Sequence, residues 1–464
     1  MAHTIGENSI NPRAYIEKAF YFAEKSKSSV LLESIAETQA KSFAGIPQQL
    51  LDQELKIKSS IAELVQKLTQ KPAEQEEKEI REKLFVLNNE YTSFVKKLEK
   101  DFPNYFNLKF SQAINSVEDI QRCLDENTGL ISYFLAERTN RLYQFTITKK
   151  RFKVKDSFIP PDLNRLLKGF MNSILFSDFE TYKKTSLPIA ALLKPNVHRQ
   201  IKELVVIPTG RLGAIPFEAL PSGRIKGANF NQVSYWLKEY AISYEFASNL
   251  FTQKGKEELA TENPTIFLCA PVTFPEKDNL SQLPGTEKEV NNISQLFANS
   301  KSVKFEDATE TVIKSKQISN FNYLHFATHG IVDEENPESS KIFLQTSGTD
   351  DGNLYAGEIY NLELNANLAV LSACQTGLGK ILKGEGVIGL SRALTYAGAK
   401  NIVVSFWSVA DESTSTLMTD FYTNLLGTKS IHFNRSLQQA KLKMSKTIEY
   451  SNPFFWAPFV LLGK

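Results

Sequence analysis

The sequence predicts an α/β protein: a mostly parallel sheet flanked by helices, preceded by an all-helical stretch. Three observations carry this reading. Short apolar runs that suit strands buried on both faces recur at 265–270, 302–306, 321–328, 342–345, 368–373 and 402–407. Helical patterns separate them, at about 286–299, 309–318, 386–397, 412–426 and 431–447. Strands that alternate with helices pair in parallel through right-handed crossovers. Residues 1–115, by contrast, show helical spacing alone.

Taken in order, the chain opens with apolar residues at helical spacing, among them Ala14, Phe20, Tyr21, Phe22 and Ile35. A longer amphipathic pattern runs from Leu50 to Leu68, then the charged turn Lys71–Lys78, then a second amphipathic pattern from Ile80 to about Lys100. Two antiparallel helices result, either the last pair of a repeat array or a helical cap on the core. From Leu130 the period changes. Leu130–Leu135 and Leu142–Ile147 form a hairpin joined by the polar Glu137–Arg141. Helical patterns fill roughly 161–194, and Lys202–Ile207 is a strand. The expected division is a helical region at 1–115, a modest α/β unit at 116–262 and a second α/β unit at 263–464. The closing Phe454–Leu462 reads as a last strand against the sheet.

Composition narrows the function classes. Apolar residues make up 42% of the 464 and charged ones 23%, as in ordinary globular proteins. A net charge of +2 gives no electrostatic reason to expect nucleic acid or a membrane as partner. No run approaches the length of an apolar membrane span, and a basic-then-apolar leader is not seen at the N-terminus. Three cysteines in so long a chain do not make a disulfide framework, so a reducing cytoplasm is the expected location.

Of those cysteines, Cys269 lies within a strand and Cys123 within a helix, both without a motif. Cys374 differs. It follows the buried run Leu368–Leu371 and precedes Gly377 and Gly379. The carboxyl end of a parallel strand is where open α/β sheets place their chemistry. His329 ends the aromatic-rich run from Phe321 and is followed by Gly330, 45 residues before Cys374. One crossover between neighbouring strands fits that interval. A thiol attacks as thiolate, and an imidazole supplies the base it needs. The amides of Gly330 and Cys374 are the candidate oxyanion donors. The pattern Ser372-Ala-Cys374-Gln-Thr-Gly377 with His329-Gly330 upstream is close to the caspase signature, with Ser372 where caspases carry Gln and the glycine one place later.

With these residues in view, the segment Tyr323–Gly463 resembles the CHAT domain, a bacterial caspase-like family related to separase. The resemblance rests on His325-Phe-Ala-Thr-His329-Gly330, Val370-Leu-Ser-Ala-Cys374-Gln-Thr-Gly377, Gly384-Glu-Gly-Val-Ile-Gly389 and Trp407-Ser-Val-Ala-Asp411. The unit from Leu130 resembles, more weakly, the inactive half of separase-type enzymes, and the first helices resemble the tail of a TPR array. The resemblance implies a caspase-like fold and a cysteine endopeptidase switched on by a partner, some relatives acting in bacterial defence. It also implies a substrate pocket walled by Ser372, Trp407 and Asp411, with Asp411 meeting a basic P1 side chain. As an aspartate before Glu412-Ser413, Asp411 equally suits the N-cap of the next helix.

The function expected is therefore cleavage of a protein substrate by a His329–Cys374 dyad, with no cofactor and no metal. An activating protein partner is expected on the N-terminal helices. His325 and His329 stand about 13 Å apart on a strand, too far to share a metal, and His325 is expected to be a packed core histidine. Glu385 reads as a helix-dipole residue and Lys380 and Lys383 as solvated. The alternatives are a non-catalytic scaffold that kept the fold, or an acyltransferase using the same dyad.

Overall fold

Runs in which every residue is apolar have no face to offer to water, so they collect in the middle of a sheet covered on both sides. Leu368–Leu371 (β12) is such a run, buried at each position. The structure, a computed structural model, describes residues 12–37, 48–69, 74–101, 115–253, 263–275, 279–333, 339–348, 350–372, 386–409, 411–428 and 431–464.

The first half of the sheet is built from β1 (Thr128–Ala136), β2 (Arg141–Thr148), β3 (Arg151–Phe158), β4 (Glu203–Ile207) and β5 (Ala241–Tyr244). The second half holds β6 (Thr265–Ala270), β7 (Asn299–Lys304), β8 (Tyr323–Phe326), β12, β13 (Ile402–Ser405) and β14 (Phe459–Leu462). These strands form one 11-stranded sheet in the order β3-β2-β1-β4-β5-β14-β13-β12-β8-β6-β7. The expected stretches 116–262 and 263–464 thus meet edge to edge, where β14 pairs with β5. They share a sheet rather than closing as two bodies.

Strand direction reverses at that seam. β6, β7, β8, β12 and β13 run parallel, β14 is antiparallel to β13, and β5, β4 and β1 follow β14. The carboxyl ends of β8 and β12 therefore lie at the same end of the sheet as the amino ends of β1, β4 and β5.

Helices cover the faces: α4 (Val117–Cys123), α5 (Leu163–Leu175), α6 (Phe179–Leu193), α7 (Pro284–Ser294), α8 (Gly386–Tyr396), α9 (Asp411–Leu426) and α10 (Phe433–Lys446) in chain order after the N-terminal helices. α10 ties the seam together. Near its start Asn434 Nδ2 and Arg435 Nε donate to Glu203 at 2.7 and 2.6 Å. Further along, Lys441 Nζ lies 2.9 Å from Glu218 Oε1, with the two side chains 1% and 2% exposed. Tyr244 donates to the other oxygen of Glu218 at 2.5 Å. A buried pair with all its oxygens bonded holds geometry well, and it punishes the loss of either member.

Several expected elements take a different form. Lys341–Phe343 (β10) is no strand of the main sheet; it pairs with Gly330–Ile331 (β9) and Asn353–Tyr355 (β11) in a separate three-stranded sheet. The helix expected at 309–318 is broken into the short turns Glu310–Ile313 and Lys316–Asn320. Only Phe459–Leu462 of the closing run is strand, since Pro453–Phe455 forms a 3-10 turn. β3 carries no strand signal in the sequence because its residues are at most half-buried and mostly polar, as an edge strand allows.

The helical region also divides differently from the expected 1–115. Met1–Lys27 and Ile114–Lys464 make one compact unit and Ser28–Ala113 another. In the first, the part of α1 (Pro12–Glu37) up to Lys27 sets Phe20 edge-on to Phe145 and Phe152 at 5.4 and 5.9 Å. Glu24 of α1 is buried, accepts from Ser132 Oγ and the Ser248 amide at 2.7 and 2.8 Å, and pairs with Lys27 at 3.0 Å. Burial pushes Glu24 up, but Lys27 and these donors outweigh it and hold the carboxyl below its usual range. In the second unit α2 (Gln48–Thr69) packs on α3 (Glu74–Asp101), burying Ile57, Ile80, Phe94 and Leu98.

Candidate active site

The site is built at the carboxyl end of β8. His325, inside the strand, is fully buried. Its Nε2 lies 2.7 Å from Glu289 Oε1 on α7 and its Nδ1 3.2 Å from the Tyr422 hydroxyl on α9. This is the packed core histidine expected from sequence. It locks α7 and α9 onto the strand that carries the next histidine.

His329 lies three residues past the strand, on backbone held from two sides. The Ala327 amide donates to Cys269 of β6 at 2.8 Å, and the Phe343 amide of β10 donates to the His329 carbonyl at 2.9 Å. The imidazole is 3% exposed and packs on Phe274 with ring centroids 4.8 Å apart. Phe274, Leu283 and Phe343 form a small apolar cluster beside it. Nε2 lies 2.7 Å from the Ser281 carbonyl. A carbonyl only accepts, so Nε2 carries the proton in the neutral ring and Nδ1 is the basic nitrogen.

The ladder phase matters for Gly330. In an antiparallel pair the bonds join alternate partners. His329 and Phe343 share one, and Gly330 sits opposite Ile342 at the following, non-bonded position. The Gly330 N–H therefore points away from β10, along the outer edge of β9, which ends its sheet.

β12 lies next to β8, in register from Leu368 opposite Tyr323 to Leu371 opposite Phe326. The Ser372 amide extends the ladder, donating to the Phe326 carbonyl at 3.0 Å. Ser372 itself is 3% exposed. Cys374 lies outside the described residues, as do Lys380, Lys383 and Glu385. Trp407 is packed inward, 2% exposed, with Nε1 donating to the Phe454 carbonyl at 3.0 Å. It stiffens the turn after β13 and shows no surface to a ligand in this form.

Asp411 opens α9, and its Oδ2 accepts from the Gly285 amide at 3.1 Å. Gly285 is the second residue of α7, whose first-turn amides need acceptors, and Leu283 before it has no side-chain acceptor. Asp411 thus caps the neighbouring helix. The approach is close: a Cβ at Gly285 would meet the Asp411 Cβ at 2.2 Å. Burial raises the Asp411 carboxyl above its usual range, Glu289 adds to this, and the Gly285 amide and His329 oppose it. That coupling puts Asp411 in the electrostatic surroundings of His329. Ser281, Gly285 and Glu289 carry no motif, and sequence reasoning passed over all three.

The CHAT domain profile matches residues 182–464, more than half of the chain. The chain belongs to the CHAT domain family. The match runs back past the motif-bearing segment into α6. Human tetratricopeptide repeat protein 28 is similar to this CHAT protein, 24% identical over 310 residues, which is 57% of this chain and 12% of that protein. The CHAT chain thus spans only a small part of that relative's length. Among solved structures it is similar to separase in the Saccharomyces cerevisiae separase–securin complex, with a TM-score of 0.49 and 11% identity over 78% of this chain and 33% of that one. It is also similar to the Arg-specific cysteine proteinase gingipain R, with a TM-score of 0.38 and 10% identity over 61% and 67% of the two chains. Among the described residues no helix is long and apolar enough to cross a membrane.

Proposed function

We propose that the chain is a cysteine endopeptidase in which His329 activates Cys374 against a protein substrate. The register of β8 on β12 carries this reading. Each of its four pairs joins residues 45 apart, from Tyr323 and Leu368 to Phe326 and Leu371, and His329 and Cys374 are separated by the same 45. Counted along the sequence, both residues of the proposed dyad come three residues after the last paired residues of adjacent parallel strands, Phe326 and Leu371.

The chemistry follows from the protonation pattern of the histidine. Nδ1 takes the thiol proton, the thiolate attacks the scissile carbonyl, and the amides of Gly330 and Cys374 hold the oxyanion. Nδ1–H then protonates the leaving amine. Water, deprotonated by the same nitrogen, releases the acyl group and restores the thiol. No step calls on a cofactor. Asp411 meets a basic P1 side chain, whose charge restores full ionisation to a carboxylate that burial disfavours. Ser372 and Trp407 support the wall behind that pocket. A protein partner on the N-terminal helices switches the site on, in defence or signalling.

The test compares wild type with Cys374→Ala and His329→Ala on a protein library, reading new N-termini by mass spectrometry with candidate activating partners added. Cleavage should fall by about a thousandfold or more in each variant, because the two residues act as one unit. A chain that cleaves nothing in any combination, with Cys374 intact, is a scaffold instead.

A further inference from the structure

At the far side of the sheet, a cleft of about 370 Å³ opens beside the turn between β2 and β3. Its lining is strongly cationic. Lys149, Lys150, Arg151 and Lys153 stand against the one carboxylate of Glu126, a formal +3, whereas the whole chain carries +2. The cleft therefore concentrates more positive charge than the molecule nets overall.

The arrangement follows from the hairpin. Arg151 pairs across from Thr148, and Lys153 from Thr146, so these four side chains share one sheet face. On the opposite face Phe145, Ile147 and Phe152 pack into the core. α6 covers the cationic face only as far as Leu193, and the loop after it turns away and forms the second wall with Asn196, His198 and Gln200. Val197 and Ile201 supply an apolar floor.

Existing partners leave charge unspent. Lys150 pairs with Glu126 at 3.0 Å, but with the two side chains 74% and 48% exposed that pair is worth little. Lys149 donates to the Leu124 carbonyl at 3.0 Å. Arg151 and Lys153 have no carboxylate partner among the described residues. Two like charges about 7 Å apart on one face repel each other, and that cost is lifted by an anion placed between them.

We infer that this cleft binds a small phosphate-rich ligand of nucleotide size. The volume lies within the range of small-molecule sites, and the wall amides and threonines offer the polar contacts that orient such ligands. Its concave form and the small number of strands that supply its cations favour a compact ligand over a nucleic-acid strand, which would need a basic track. The site stands at the same end of the sheet as His329 but seven strands away, about 34 Å at ~4.8 Å per strand. It is separate from the candidate active site and does not depend on the protease reading.

The test is isothermal titration of the full chain with sodium tripolyphosphate and with ATP. Saturable one-to-one binding is expected, weakening with added salt. The Arg151→Ala/Lys153→Ala variant should bind about tenfold or more weakly, with its melting temperature unchanged because both side chains are exposed. Tighter binding of ATP than of tripolyphosphate assigns a nucleotide, and equal binding assigns a bare polyphosphate. The inference is overturned if neither probe saturates below about 1 mM, if the variant binds as tightly as wild type, or if a single-stranded RNA or an acidic peptide binds while both phosphates do not.

Discussion

The seam between the half-sheets and the end of β8 both gather titratable side chains, and they treat them differently. At the seam Glu218 has both oxygens occupied, one by Lys441 and one by Tyr244, and the site is closed. At the end of β8 the polar groups are satisfied on one side only. His329 Nε2 is taken by Ser281 and Asp411 Oδ2 by Gly285. Among the described residues Nδ1 has no partner, and the Gly330 N–H faces an open edge. Fully bonded buried charge makes a joint; half-bonded polar groups gathered at a strand end leave donors and acceptors open, as the proposed protease reading requires.

The largest effect is expected at the seam. Glu218→Ala leaves the Lys441 ammonium buried without its carboxylate, and chemical denaturation should register a loss of about 3–5 kcal/mol. The double replacement Glu218→Leu/Lys441→Met should recover most of it. If the single change costs no more than a surface substitution, the seam is not a joint of this kind.

A smaller effect is expected at Gly285→Ala. Its new methyl group runs into Asp411, which should lower stability by about 1–3 kcal/mol. Adding Asp411→Gly should be less costly than the sum of the two single changes, because the clash goes with the Asp411 Cβ. Strict additivity would mean that the two residues do not meet.

The smallest effect is a pH dependence. Burial raises the folded-state pKa of Asp411 above its ordinary 3.8, so the folded chain holds that proton where the unfolded chain has lost it. Stability from this group is then present below pH 3.8 and is lost as pH rises through the folded value. Asp411→Asn cannot titrate. Melting curves of the two proteins should therefore diverge in favour of the variant as pH is raised from about 3 to 7, by less than about 1 kcal/mol because the group is part-exposed. A divergence of the opposite sign would show that His329 and the Gly285 amide outweigh burial.

Much of this was legible in the sequence, for identifiable reasons. Strands such as Leu368–Leu371 announce themselves because burial on both faces leaves no polar position, and His329 and Gly330 stand out by ending such a run. Partners in space are another matter. Nothing near Leu462 says that it pairs with Tyr244, so the single sheet was invisible. The Ser281 carbonyl that sets the tautomer of His329 is a backbone atom, and any residue there would have supplied it. For Asp411 the sequence offers a pocket role and a cap of the helix that follows it; the bond it makes caps a different helix, at Gly285, 126 residues earlier in the chain.

The rate of Cys374 alkylation tests, without a substrate, whether His329 and Cys374 act on each other. Iodoacetamide labelling, followed by peptide mass spectrometry across pH 5 to 9, would be run on wild type and His329→Ala. Cys374 should label first. Cys269 should resist, because burial pushes its thiol up. Removing His329 should slow Cys374 labelling near neutral pH and move its profile to higher pH. If Cys374 reacts at the same rate and with the same pH profile after His329 is gone, the two residues are not a dyad.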